Sequence, residues 1–106
     1  MLKDEFRKIL SERIQVHPNN SYETDRYWKL ETDLLSKNIN DTIDFLDDDC
    51  TADEFSWISE IFDDIVEKTQ SKEFIECLWR IADKFPEECE KYHVHASIQF
   101  AEELLE

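Results

Sequence analysis

Apolar residues recur at intervals of three and four along nearly the whole chain, the spacing of one face of an α-helix. Phe6, Ile9, Leu10 and Ile14 predict a first amphipathic helix near residues 2–15, ended by His17-Pro18-Asn19-Asn20. A second is predicted from Tyr22 to Lys37, with Tyr27, Leu30, Leu34 and Leu35 facing inward. Asn38-Ile39-Asn40-Asp41 weakens the pattern and Ile39, Ile43 and Leu46 restore it up to Asp48, so residues 22–48 read as one helix or as two.

Thr51 opens the next helix with a capping box, its hydroxyl accepting from the Glu54 N–H while the Glu54 carboxylate reaches back. At 100° per residue, Phe55, Ile58, Ile61, Phe62, Ile65 and Val66 share one broad arc. Asp53, Glu60, Asp63, Asp64 and Glu67 fall in the opposite arc, so a continuous helix sets five carboxylates on one exposed face. Trp57 lies on the boundary, where a tryptophan serves either as amphipathic packing or as an interface anchor.

Ser71 is the expected N-cap of a further helix reaching Lys84. Its apolar stripe (Phe74, Ile75, Leu78, Ile81, Ala82, Phe85) is wide enough to touch two neighbours. Pro86 begins a short turn or helix through Tyr92, and a last helix near 94–105 presents Val94, Ile98, Ala101 and Leu105. The fold expected is all-α: one domain over 1–106, a compact bundle or a stack of helical hairpins, with five to six helices. The absence of glycine agrees, because it removes the usual source of tight hairpins and of phosphate-cradling loops.

Charge changes the picture most. The 106 residues carry a net −15, and the excess is concentrated. Between Asn38 and Glu67 stand Asp41, Asp44, Asp47, Asp48, Asp49, Asp53, Glu54, Glu60, Asp63, Asp64 and Glu67, with no Lys or Arg among them. Residues 1–37 are neutral by comparison. Ordinary solvated helices mix signs through i,i+4 pairs, whereas a localised field attracts a basic surface and speeds its arrival. The same charge repels phosphates, so direct nucleic-acid binding is not expected, nor is binding to an anionic membrane. Apolar runs of at most three residues exclude a spanning helix.

No reactive motif competes with this signal. Asp47-Asp48-Asp49-Cys50-Thr51-Ala52-Asp53 has the look of a calcium loop but lacks its turn glycine, and Ile58 stands where the twelfth-position Glu belongs. His93 and His95 are two apart and diverge on a helix, and the Cys89–His93 pair has nothing to complete a tetrahedron. Neither a metal nor any other cofactor is expected. The solvated carboxylates lack the dry pocket that acid–base catalysis needs, and no His sits at a recognisable offset from a Cys, so the chain reads as a binder rather than an enzyme. Three cysteines, an odd number with no CxxC pair, and a charged N-terminus without an apolar core predict a reduced, cytoplasmic setting without a secretory signal.

The stretch Thr51–Glu88 resembles small bacterial immunity proteins of contact-dependent inhibition and related polymorphic toxin systems. The likeness rests on the Asp-rich lead into Cys50-Thr51, Phe62-Asp63-Asp64-Ile65, Thr69-Gln70-Ser71 and Lys84-Phe85-Pro86. It implies a small cytoplasmic inhibitor that binds one cognate toxin domain, commonly a basic nuclease, and blocks its active site or substrate groove. The contact face expected is Asp44, Asp47, Asp48, Asp53, Trp57, Glu60, Asp63, Asp64 and Glu67. The alternative is an acidic helical adaptor or DNA mimic that binds another basic, nucleic-acid-binding protein.

Overall fold

The computed structural model describes residues 2–106, and these are helical without strands. Eight α-helical segments follow one another: α1 (Leu2–Ile14), α2 (Ser21–Lys37), α3 (Ile39–Asp48), α4 (Ala52–Ile58), α5 (Phe62–Thr69), α6 (Lys72–Lys84), α7 (Pro86–Lys91) and α8 (Val94–Glu103). A 3₁₀ turn, Ser59–Ile61, joins α4 to α5. Counting α4, the turn and α5 as one bent rod gives seven helical bodies, against the five to six expected.

The extra elements have local causes. Asn38 takes an extended conformation (φ −140, ψ 96), which ends α2, and its side chain accepts from the Asp41 N–H to start α3. Residues 22–48 are therefore two helices. The expected continuous helix from Thr51 onward breaks at residues 59–61. There Ser56 and Ser59 turn their hydroxyls back onto the carbonyls of Asp53 and Ser56, and Ile61 leaves the helical region (φ −124, ψ 12). The capping box forms as expected: Glu54 N–H donates to Thr51 Oγ1 at 3.1 Å, and Thr51 N–H to Glu54 Oε1 at 3.0 Å. Arg7 then clamps the same carboxylate from α1 through two hydrogen bonds of 2.7 and 3.2 Å.

Without glycine, the left-handed turns fall to Gln70 (φ 53) and His93 (φ 56). Gln70 is well tied. Its N–H closes α5 onto Val66 O, its Nε2 donates to Leu104 O, and its Oε1 accepts from the Glu106 N–H. It thus fastens the C-terminal end of the chain to the α5–α6 corner.

α1 and α2 pair as a hairpin; α5 packs between α2 and α8, and α6 touches α3, α7 and α8, the central role its wide stripe predicts. One contiguous apolar cluster fills the middle, with Phe55, Phe62 and Phe74 wholly buried in successive edge and tilted ring contacts 5.3–6.4 Å apart. Two expectations about inward faces are corrected. Ile14 and Leu30 point to solvent, 45% and 41% exposed. The stripe on α1 is Phe6, Leu10 and Arg13; on α2 it is Tyr27, Glu31, Thr32 and Leu35. Two ionisable side chains have taken places assigned to aliphatic ones.

Candidate functional site

Those two side chains sit beneath the most featured part of the surface. Arg13 reaches from the end of α1 to Glu60 in the 3₁₀ turn (Nη2 to Oε2, 2.8 Å), and its guanidinium lies 5.2 Å from the centre of the Trp57 ring. Trp28 of α2 donates its indole N–H to the other oxygen of Glu60 at 3.2 Å. Glu60 is thereby held on both oxygens. Its expected place as a simple exposed contact is corrected: it is the anchor on which α1, α2 and the turn converge.

Glu31 lies inside the same junction. It is fully buried, and neither carboxylate oxygen has a hydrogen-bond partner. Burial pushes its carboxyl up to about 7, the Glu60 charge adds to the shift, and Arg13 opposes it. The signal was present in the sequence, because Tyr27, Glu31 and Leu35 stand at i, i+4 and i+8. Reading only apolar residues passed over it.

Three depressions run together along this side of the molecule. Asp53, Trp57 and Glu60 border the first, with Tyr92. Glu60 and Asp63 border the second, with Trp28, Tyr92 and Phe100. Asp64 and Glu67 border the third, with Asp25, Trp28, Lys29 and Lys68, the last paired to Asp33. Shared linings make them one groove, with Glu60 and Tyr92 common to the first two and Trp28 to the last two. Six of the nine expected contact residues therefore border a groove, bent by the turn rather than laid along one straight helix face.

The other three lie elsewhere. Asp44 and Asp48 border a separate hollow between α3 and α1, beside Leu2, Lys3 and Phe45. Asp47 joins α3 to α6: its Oδ2 accepts from Arg80 at 2.9 Å and its carbonyl from Lys84 at 3.1 Å. The expectation of one face carrying all nine is corrected, since α3 and the α4–α5 unit present their acids in different directions.

Pairing separates the acids further. Among the described residues, Lys and Arg side chains form ion pairs with Glu23, Asp33, Asp47, Asp49, Glu54 and Glu60. Asp44, Asp48, Asp53, Asp63, Asp64 and Glu67 have none. Burial raises the Asp64 carboxyl above its ordinary value, and the charges of Asp63 and Glu67 add to the rise, so mutual repulsion is felt on this rim.

The groove's far wall was missed in the sequence. Tyr92 and Phe100 are 48% and 55% exposed, and Phe100 lies outside the α8 stripe of Val94, Ile98 and Ala101. A phenylalanine on a helix's polar face was the available clue. The remaining chemistry is muted. Burial drives the Cys50 and Cys77 thiols up to about 12, which leaves them protonated rather than nucleophilic at neutral pH. His95 stacks on Trp79, and no three His, Cys, Asp or Glu side chains converge as metal ligands among the described residues. No helix among them is long and apolar enough to cross a membrane. Comparison with protein-family models, curated proteins and solved structures finds no match for this chain.

Proposed function

We propose that the protein is an immunity protein that binds and neutralises a cognate toxin domain, a nuclease, by laying its acidic groove against the toxin's basic substrate channel. The observation that carries this reading is the groove itself, where Asp53, Asp63, Asp64 and Glu67 stand without cationic partners beside Trp57, Trp28 and Tyr92. A nuclease channel holds phosphates with Lys and Arg, and a fixed row of carboxylates presents it with the same charge pattern. Long-range attraction speeds capture before the toxin reaches nucleic acid, and aromatic contacts slow release. The resemblance of Thr51–Glu88 to immunity proteins agrees with this.

The test is affinity capture from the source cells, followed by assay of the captured protein. Comparison is made with the triple variant Asp53→Asn, Asp63→Asn, Asp64→Asn, which leaves the Arg13–Glu60 anchor intact. The expected result is one stoichiometric basic protein whose nucleic-acid cleavage stops on adding the wild type, with slower and less salt-dependent association for the variant. A nucleoid or regulatory protein without toxicity overturns the immunity reading in favour of an adaptor or DNA mimic. Unchanged association kinetics show that the groove is the wrong surface.

A further inference from the structure

The middle depression of the groove is the one richest in aromatic side chains. α2 and α8 both pack on the Ser59–Ile61 turn, so the turn floors a cleft of about 520 Å³, with Trp28 on one side and Tyr92 and Phe100 on the other. Phe6, Phe45, Phe55, Phe62 and Phe74 are buried and Phe85 packs on the core, which leaves Phe100 as the phenylalanine standing half in water. Exposed aromatic side chains gathered at a concave, polar-floored site are the mark of a contact surface rather than of packing. The acids here are Glu60, fixed by its two hydrogen bonds, and Asp63, which no Lys or Arg approaches within ion-pair distance among the described residues.

We infer, resting on the partner-binding reading above, that this cleft receives a single arginine side chain of a basic protein partner. Its guanidinium donates to Asp63 and Glu60 while its flat face lies against the Phe100 ring and beside Tyr92, whose ring already carries the Lys91 ammonium 5.2 Å from its centre. A carboxylate or phosphate is repelled by Asp63, whose charge no Lys or Arg offsets among the described residues, while Glu60 is already paired to Arg13. Lysine answers the charge but not the rings, because its ammonium is compact and strongly hydrated. A guanidinium is planar, weakly hydrated and able to donate along two parallel lines. The molecule already makes this contact on the inner side of the groove, where Arg13 donates to Glu60 while lying over Trp57. The partner's arginine repeats that arrangement from outside, using the second acid and the second pair of rings.

The experiment titrates ¹⁵N-labelled protein with acetyl-Ala-Arg-Ala-amide, and with its lysine and citrulline counterparts, at one ionic strength. The arginine peptide is expected to give saturable shifts at the Trp28 indole N–H and at the Tyr92 and Phe100 amides. The lysine peptide binds several-fold more weakly, and neutral citrulline gives no saturable shift. Asp63→Asn weakens the arginine peptide about tenfold, the size of one lost charge-assisted hydrogen bond. Phe100→Ala weakens it several-fold, and unchanged spectra away from the cleft show that both variants are folded. Equal responses to arginine and lysine, spread over Asp44, Asp48 and Glu67, overturn the inference, because they report only general attraction to the acidic surface. Absence of a saturable shift at the cleft overturns it as well. The toxin experiment fails separately: a captured toxin whose affinity ignores Asp63→Asn and Phe100→Ala overturns the cleft and leaves the immunity reading standing. Arginine binding without any captured toxin does the reverse.

Discussion

Replacing Glu31 with Gln should stabilise the protein, and by more at pH 8 than at pH 5. In the folded chain Glu31 is wholly buried, and neither oxygen is hydrogen-bonded. Its pKa is raised from an ordinary 4.5 to about 7. Between these two values the folded state holds a proton that the unfolded state has released, so stability falls as pH rises through this window. The stabilising contribution is fully present below the unfolded value and is lost by the time pH exceeds the folded one. A shift of this size corresponds to roughly 3 kcal/mol at most. Glutamine keeps the length and polarity of the protonated carboxyl and cannot ionise, and Arg13 still has Glu60 as its partner. Urea unfolding of both proteins at pH 5, 6, 7 and 8 tests the reasoning, read as the difference between them so that the other acids cancel. The expected difference grows by about 2–3 kcal/mol in favour of the variant between pH 5 and pH 8. A constant offset across the series means that Glu31 does not titrate in this window. A variant weaker at pH 8 than at pH 5, relative to wild type, means that the ionised carboxylate is a stabilising partner of Arg13, and the argument from burial is wrong.

Raising salt from low to moderate concentration should raise the melting temperature, because screening relieves repulsion among the unpaired acids of the groove; an unchanged melt contradicts a clustered field. Thr51→Ala should cost about 1 kcal/mol in thermal or urea unfolding, since it strips the cap from the Glu54 N–H. A loss near zero shows that the Arg7 clamp alone holds the start of α4.

The all-helical fold and most helix boundaries were legible because they depend on local signals: periodicity, the Thr51 and Ser71 caps, Pro86, and an absence of glycine. Two features escaped for opposite reasons. The break at residues 59–61 comes from serine hydroxyls competing for backbone carbonyls within a stripe whose apolar phase stays nearly continuous, so periodicity alone runs through it. The inward turn of Arg13 depends on a partner forty-seven positions away in the chain, which no window of sequence contains, whereas that of Glu31 follows the Tyr27–Glu31–Leu35 spacing and escapes only a reading confined to apolar residues. The groove's acids were legible individually, while its shape was not. Tyr92 and Phe100 join it only because α8 folds back onto the turn beside α2.

The use made of cations gives the groove its meaning. The ion pairs of Arg7, Arg13, Lys68 and Arg80 each link different parts of the chain: α1 to α4, α1 to the 3₁₀ turn, α5 to α2, and α6 to α3. Each tightens the body, and none neutralises Asp53, Asp63, Asp64 or Glu67. An exposed ion pair adds little to stability, so leaving these acids unpaired forfeits little from each. Their mutual repulsion, however, is a collective cost that the fold carries whenever it is alone. On the proposed reading a basic partner would remove that cost on binding, and part of its affinity would come from repulsion relieved in this protein rather than from contacts made. A surface built in this way favours any cation weakly and a complementary row of them strongly. In the proposed complex the rings of Tyr92, Phe100 and Trp28 would supply what charge cannot: a reason for one particular basic surface to stay.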